Sequence, residues 1–230
     1  MKDCKKDIKN LFSVPIAEID CNEYISNLKD LNNDLIKAFI GDLIDRGYQN
    51  ASARLNVYQS IRNLEKHEPF QILFQKIKPL FDSFFSNIHF CEDFINRYKL
   101  TNVWGNLTTG VGFHAPHIHG LGNHTPFSAV YFPCIFADPE KLDDIKVDND
   151  ASNCTDEKIG TLTFLCPAFN LKQVLFGYPS EVCYNEYSVL PSAGKLVIFP
   201  SFLTHFVTPS VLANKNNTRI SFSFYAADNL

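Results

Sequence analysis

A chain of 230 residues, 45% hydrophobic and 13% aromatic, is long enough to bury one sizeable core, and its 21 phenylalanines point to a tightly packed, β-rich interior. A net charge of -4, with Lys2, Lys5, Lys6 and Lys9 merely scattered, offers no basic patch for a nucleic acid, and the apolar runs are too short for a membrane span or a signal-peptide core. The cytoplasm is the expected compartment; seven cysteines, odd in number and without a Cys-x-x-Cys pair, read as free thiols rather than a disulfide framework or a zinc knuckle.

In chain order, residues 22 to 100 read as helical. Tyr24, Ile25, Leu28, Leu31, Leu35, Ile36, Phe39, Ile40, Leu43 and Ile44 recur at three- and four-residue spacing, and a second amphipathic stretch from Pro69 to Ile88 carries Phe70, Leu73, Phe74, Ile77, Leu80, Phe81, Phe84 and Phe85. Such helices would buttress one outer face of a sheet, and they offer a face for a homodimer. From Leu100 the pattern changes to short apolar runs separated by Gly, Pro and Asn, as in β-sandwiches and jelly rolls. Strands are predicted near 102 to 109, 117 to 121, 127 to 133, 160 to 166, 173 to 176, 195 to 199, 204 to 208 and 218 to 225. One domain over 1–230 is expected, with residues 1–100 supplying an N-terminal strand and helices and 101–230 the β core. Residues 137–158 form an acidic insertion, read first as a solvated spacer and second as a lid. Asn214 to Asn217 read as a hairpin connection.

Within the β half, histidines cluster. His114, His117, His119 and His124 fall within eleven residues, and His205 follows the apolar run Phe199-Pro200-Ser201-Phe202-Leu203. In extended chain, His117 and His119 project from one face, because side chains alternate with a period of two. Neutral imidazole suits Fe, Zn, Ni and Cu, so a third ligand from a distant strand would complete a metal site, and His205 is the candidate. His67 and His89 read as ordinary helix or loop residues. Fourteen residues beyond His205, Arg219-Ile220-Ser221-Phe222-Ser223-Phe224-Tyr225 alternates polar and aromatic residues, which sets Arg219, Ser221 and Ser223 on one face. A guanidinium with a hydroxyl beside it, turned inward, would hold a carboxylate. Trp104, Asn106 and Thr108 share a face of the first core strand. They read first as core or hairpin polar residues and second as the substrate side of a pocket.

The run His117-x-His119, the strand Ser128-Ala129-Val130-Tyr131-Phe132, the stretch Gly194 to Ser201 followed by His205, and the closing Arg219-Ile220-Ser221 resemble the iron(II)- and 2-oxoglutarate-dependent oxygenases. The resemblance covers about residues 100 to 226, with a weaker echo at Leu11 to Ile16. It implies a fold that is mainly β with α, a double-stranded β-helix, or jelly roll, with an N-terminal helical layer. It implies iron(II) on His117 and His205, with His119 at the position of the third ligand, and 2-oxoglutarate held by Arg219 and Ser221, with Tyr131 or Ser128 touching the co-substrate according to which face of their strand turns inward. The implied activity is hydroxylation of an unknown substrate, a small molecule or a protein side chain, with 2-oxoglutarate decarboxylated to succinate.

The chain departs from the wider family in one ligand: His119 stands where most members carry a carboxylate. Three readings follow, namely a working three-histidine iron site, a site whose third ligand is His114 or His124, and a shell that has lost the chemistry. The first is preferred because His-x-His aims its side chains as His-x-Asp does. From other classes come a non-catalytic jelly-roll protein that binds a metal and a cupin-like three-histidine dioxygenase that does not use 2-oxoglutarate.

Overall fold

The computed structural model describes residues 13–49, 54–61, 63–119, 125–137, 160–167, 186–209 and 218–228. Ten strands and three α-helices follow in the order β1 (Ala17–Asp20), α1 (Leu28–Arg46), β2 (Tyr48–Gln49), β3 (Arg54–Ser60), α2 (Glu68–Asn87), α3 (Glu92–Arg97), β4 (Lys99–His117), β5 (Phe127–Ala137), β6 (Leu162–Leu165), β7 (Glu186–Val189), β8 (Lys195–Pro200), β9 (His205–Val207) and β10 (Thr218–Ala227). Every strand pairing is antiparallel. The strands run β1-β8-β5-β10-β4-β9-β6-β7, with β3 also on β4 and β2 on β3.

β4 joins the two halves of this arrangement. Its first part pairs with β10 from Lys99 to Thr109, and its far end pairs with β9 at His114 and His117. The 19-residue strand therefore leaves the large sheet and enters the small one, β9-β6-β7, as the strands of a double-stranded β-helix do. The strand predicted near 102 to 109 lies within it; of the one predicted near 117 to 121 it holds only His117, Ile118 and His119 follow outside any strand, and residues 120 and 121 fall outside the described residues. The Gly and Pro residues of β4, Gly105, Gly110, Gly112 and Pro116, sit inside it and do not end it.

Burial on both sides of the large sheet explains why its inner strands read as apolar runs. On one face, Phe127, Ala129 and Tyr131 of β5, Leu196 and Ile198 of β8, and Ile220, Phe222 and Phe224 of β10 pack with Leu35, Ile36 and Phe39 of α1 and Phe70, Leu73, Ile77, Phe81 and Phe85 of α2. Phe222 meets Phe70 and Phe39 edge-on, with centroids 4.8 and 5.5 Å apart, a favourable aromatic arrangement. Gly105 is required here: a Cβ at that position would lie 2.3 Å from the Phe39 ring. On the other face, Val130, Phe132, Val197 and Phe199 pack with Leu162, Phe164 and Val189 of the small sheet. The molecule is layered as helices, large sheet, small sheet.

Several elements differ from the sequence expectation. β2 and β3 lie inside the tract read as helical, and β7 lies outside the predicted strands. The expected strand at 173 to 176, most of the acidic insertion and the Asn214 to Asn217 turn fall outside the described residues. Among the described residues, no helix is long and apolar enough to cross a membrane.

Candidate metal centre

Three side chains converge where β4 meets β9. His117, the last residue of β4, stands directly opposite His205 in the antiparallel register. His119 lies two residues further on, and its backbone N–H donates to Ser201 O at 2.9 Å, which ties the His-x-His segment to the turn leading into β9. The possible ligand atoms of His117, His119 and His205 all lie within 4.8 Å of one another. Nitrogens bound to one ion at about 2.1 Å sit about 3–4 Å apart, so little movement would close the set.

The tautomers suit a metal. His117 Nδ1 lies 2.8 Å from Ala115 O and His205 Nδ1 2.9 Å from Leu203 O. A carbonyl only accepts, so each Nδ1 carries the proton and each Nε2 keeps its lone pair, the arrangement that orients histidine ligands. Burial, and then the neighbouring His117, push His205 down to about 4, so its imidazole is neutral at physiological pH. His119 Nδ1 is 3.2 Å from Tyr225 Oη, and Trp104 lies against the His119 ring with centroids 5.3 Å apart. His114 stacks on His117 at 4.1 Å but is not one of the three. His124 falls outside the described residues.

The histidines line a cavity, partly open to solvent, together with Arg219, Thr108, Ser221, Asn106 and Ser223. These polar residues pair across strands: Arg219 opposite Thr108, Ser221 opposite Asn106 and Ser223 opposite Trp104. Trp104, Asn106 and Thr108 are buried and line the cavity, and Trp104 also packs with Tyr225 and Ala227. Val130, Phe132, Leu162 and Val207 supply apolar walls.

Arg219 is 8% exposed, and burial pushes its guanidinium down to about 10, which leaves it charged at neutral pH. One arm donates to Gly160 O. Gly160 permits that approach, since a Cβ there would lie 2.5 Å from Thr208 O and 3.2 Å from Arg219 Nη1. Arg219 Nε and Thr108 Oγ1 are buried with no hydrogen-bond partner among the described residues. Buried unpaired donors are costly, so this pair favours an acceptor, and a carboxylate supplies both charge and lone pairs. The Arg219 guanidinium also lies 6.0 Å from the Phe132 ring.

Two of the expected co-substrate contacts are corrected. Tyr131 belongs to the helix-facing set of β5, opposite Leu196 and Phe222, and its hydroxyl donates to Asn32 Oδ1 of α1 at 2.6 Å. Ser128 shares the parity of Val130 and Phe132, but its hydroxyl is 2.8 Å from Ser201 Oγ at the end of β8 and it does not line the cavity. Sequence reasoning missed Tyr225, although one further step along the alternation Arg219, Ser221, Ser223 reaches it. It also missed the Gly160 carbonyl, which carries no signal in the side-chain pattern.

Comparison with known proteins agrees with this geometry. The family described as "Putative 2OG-Fe(II) oxygenase" matches residues 102–225, more than half of the chain. No curated protein matches. Among solved structures, a prolyl-4-hydroxylase from Pseudomonas putida is similar at 14% identity and a TM-score of 0.58, covering 94% of each chain. The viral collagen prolyl hydroxylase of Paramecium Bursaria Chlorella virus-1 gives 13% identity and a TM-score of 0.54, over 93% of this chain and 96% of that one. The epimerase SnoN from nogalamycin biosynthesis, solved with Fe3+ and alpha ketoglutarate, gives 12% and 0.58, over 94% of this chain and 79% of its own. At such identities these likenesses establish the fold, a jelly roll with an added helical layer. With the family match spanning the strands that carry all three histidines and Arg219, the chain belongs to the 2OG-Fe(II) oxygenases, oxidoreductases that use iron(II) and 2-oxoglutarate.

Proposed function

We propose that the chain hydroxylates a small molecule or a protein side chain, with iron(II) on His117, His119 and His205 and 2-oxoglutarate held at its far carboxylate by Arg219, Thr108 and Ser221. The observation that carries this reading is that one cavity is lined both by three convergent imidazoles and by Arg219 and Thr108, whose Nε and Oγ1 are buried with no hydrogen-bond partner among the described residues. A non-catalytic metal protein would need the imidazoles but not the buried guanidinium and hydroxyl.

The residues fit the groups. Two of the three imidazoles have their lone pairs set by carbonyls, and His205 is held neutral by burial. When bound, the iron and 2-oxoglutarate supply oxidation of a C–H bond by dioxygen, coupled to decarboxylation of the co-substrate to succinate. The chain's part is binding, orientation and exclusion of water. Arg219, stiffened by its bond to Gly160 O, presents Nε toward a carboxylate, and Thr108 Oγ1 adds a second donor from the opposite strand. Phe132, Val130, Leu162 and Val207 remove water from around that charge pair, which strengthens it.

One observation favours the cupin-like alternative, the absence of a carboxylate from the ligand trio. Binding of 2-oxoglutarate to iron-loaded wild type and to Arg219→Ala, measured calorimetrically without oxygen, separates the two. The expected result is binding that weakens about 100-fold in the variant, as for loss of a buried charge-assisted pair. Equal binding in both proteins would sink the co-substrate assignment.

A further inference from the structure

The three histidines are not held alike. His117 and His205 each donate Nδ1–H to the backbone carbonyl two residues before them. His119 Nδ1 instead faces a side chain, the phenol of Tyr225, at 3.2 Å. Tyr225 is 5% exposed, and its ring packs 5.2 Å from Trp104 and 5.7 Å from His119.

The strand is distorted to build this arrangement. Between Ser223 and Tyr225 the register with β4 slips by one residue, so that Ser223 faces Trp104 while Tyr225 faces Thr101. The extra residue on β4 coincides with Asn102 at φ 57, and the Glu65 carboxylate accepts from the backbone N–H groups of Asn102 and Val103, both at 3.0 Å. Bulges of this kind re-aim side chains, and this one allows Trp104 and Tyr225 to lie side by side against His119.

We infer that Tyr225 is the positioning residue for the third metal ligand. Its Oη accepts the Nδ1–H of His119 and so keeps the lone pair on Nε2, as the carbonyls do for the other two. In the opposite sense, with the phenol donating to Nδ1, the proton would sit on Nε2 and the ring could not bind a metal there; metal binding selects one tautomer. The inference rests on the three-histidine reading, and it makes His119 the ligand whose hold can be altered by one side-chain substitution.

Cobalt(II), which stays divalent in air and whose visible bands report its ligands, is titrated into the full chain as wild type, Tyr225→Phe, His119→Ala and the double variant. Tyr225→Phe keeps the ring and removes only Oη. The expected result is about tenfold weaker binding with a shifted spectrum in Tyr225→Phe, and no further loss when it is added to His119→Ala. Wild-type affinity and spectrum in Tyr225→Phe, alongside loss in His119→Ala, overturns the inference and leaves the three-histidine reading standing. Equal weakening by Tyr225→Phe in both backgrounds also overturns it, because the phenol then acts through the fold. Wild-type binding in His119→Ala contradicts the three-histidine reading itself. Wild type alone gives a second test: in zinc-loaded protein, a slowly exchanging His119 Nδ1–H with a nuclear Overhauser contact to the Tyr225 ring is expected, and its absence overturns the assignment.

Discussion

On β10, Ile220, Phe222, Phe224 and Ala226 point to the helices, while Arg219, Ser221, Ser223 and Tyr225 alternate with them on the opposite face. The helix face is apolar, and its contact from Tyr131 to Asn32 is satisfied at 2.6 Å. The cavity face carries a guanidinium nitrogen and a hydroxyl without partners among the described residues, and a cluster of imidazoles. Ten residues of one strand thus serve two ends: one parity stabilises the fold, and the other carries polar groups that are costly until a ligand satisfies them. Stability and binding should then respond to different substitutions on the same strand.

Five substitutions or conditions test that division, in order of expected size. His205→Ala should abolish tight iron(II) binding, since it removes the buried, neutral member of the trio, while circular dichroism stays that of a folded protein. Phe222→Ala should cost about 3–5 kcal/mol of unfolding free energy in denaturant titrations, because it empties a space ringed by Phe39 and Phe70. The protein that remains folded should bind metal as before; a parallel loss of metal affinity would break the comparison.

Lower pH should weaken the cavity side. His205 titrates near 6.5 when unfolded and is pushed down to about 4 in the fold by burial and by His117. The unfolded chain binds more protons between those values, so stability present above about 6.5 is lost as the pH falls toward 4, by on the order of 3 kcal/mol. Chemical denaturation of metal-free protein across that range would show it, and His205→Ala should flatten the dependence.

Arg219→Met should leave metal-free protein as stable as wild type or about 1 kcal/mol more stable, because an uncompensated buried charge gives way to an apolar chain of similar reach. A clear fall in melting temperature would mean that Arg219 serves the fold. Smallest of all, His114→Ala should leave metal affinity little changed, since His114 stacks on His117 without joining the trio.

Period-two alternation explains what was legible in the sequence. His117, His205 and Arg219 sit on strands and His119 two residues beyond the end of one, so alternation paired His117 with His119 and Arg219 with Ser221, and the family resemblance joined these pairs with His205. The same rule failed where both faces of a strand are buried. Along β5, Phe127 to Cys134 are all buried, and nothing in that run distinguishes the helix face of Tyr131 from the inner face of Ser128 and Phe132. β3 was lost in the helical tract because Asn56, at φ 51, breaks its alternation. β7 exposes Glu186, Tyr187 and Ser188 and so shows no apolar face to read. Tyr225 was within reach, but the bulge at Asn102 that brings Trp104 beside it depends on Glu65, far away in sequence.

The central claim is that one cavity holds both a three-histidine metal and a carboxylate-bearing co-substrate. Anaerobic titration of iron(II)-loaded protein with 2-oxoglutarate tests it most directly, through the weak visible charge-transfer band of a chelated keto acid. The account predicts that the band grows in wild type and saturates at one equivalent. With iron shown to be bound, a spectrum that never develops the band would contradict it.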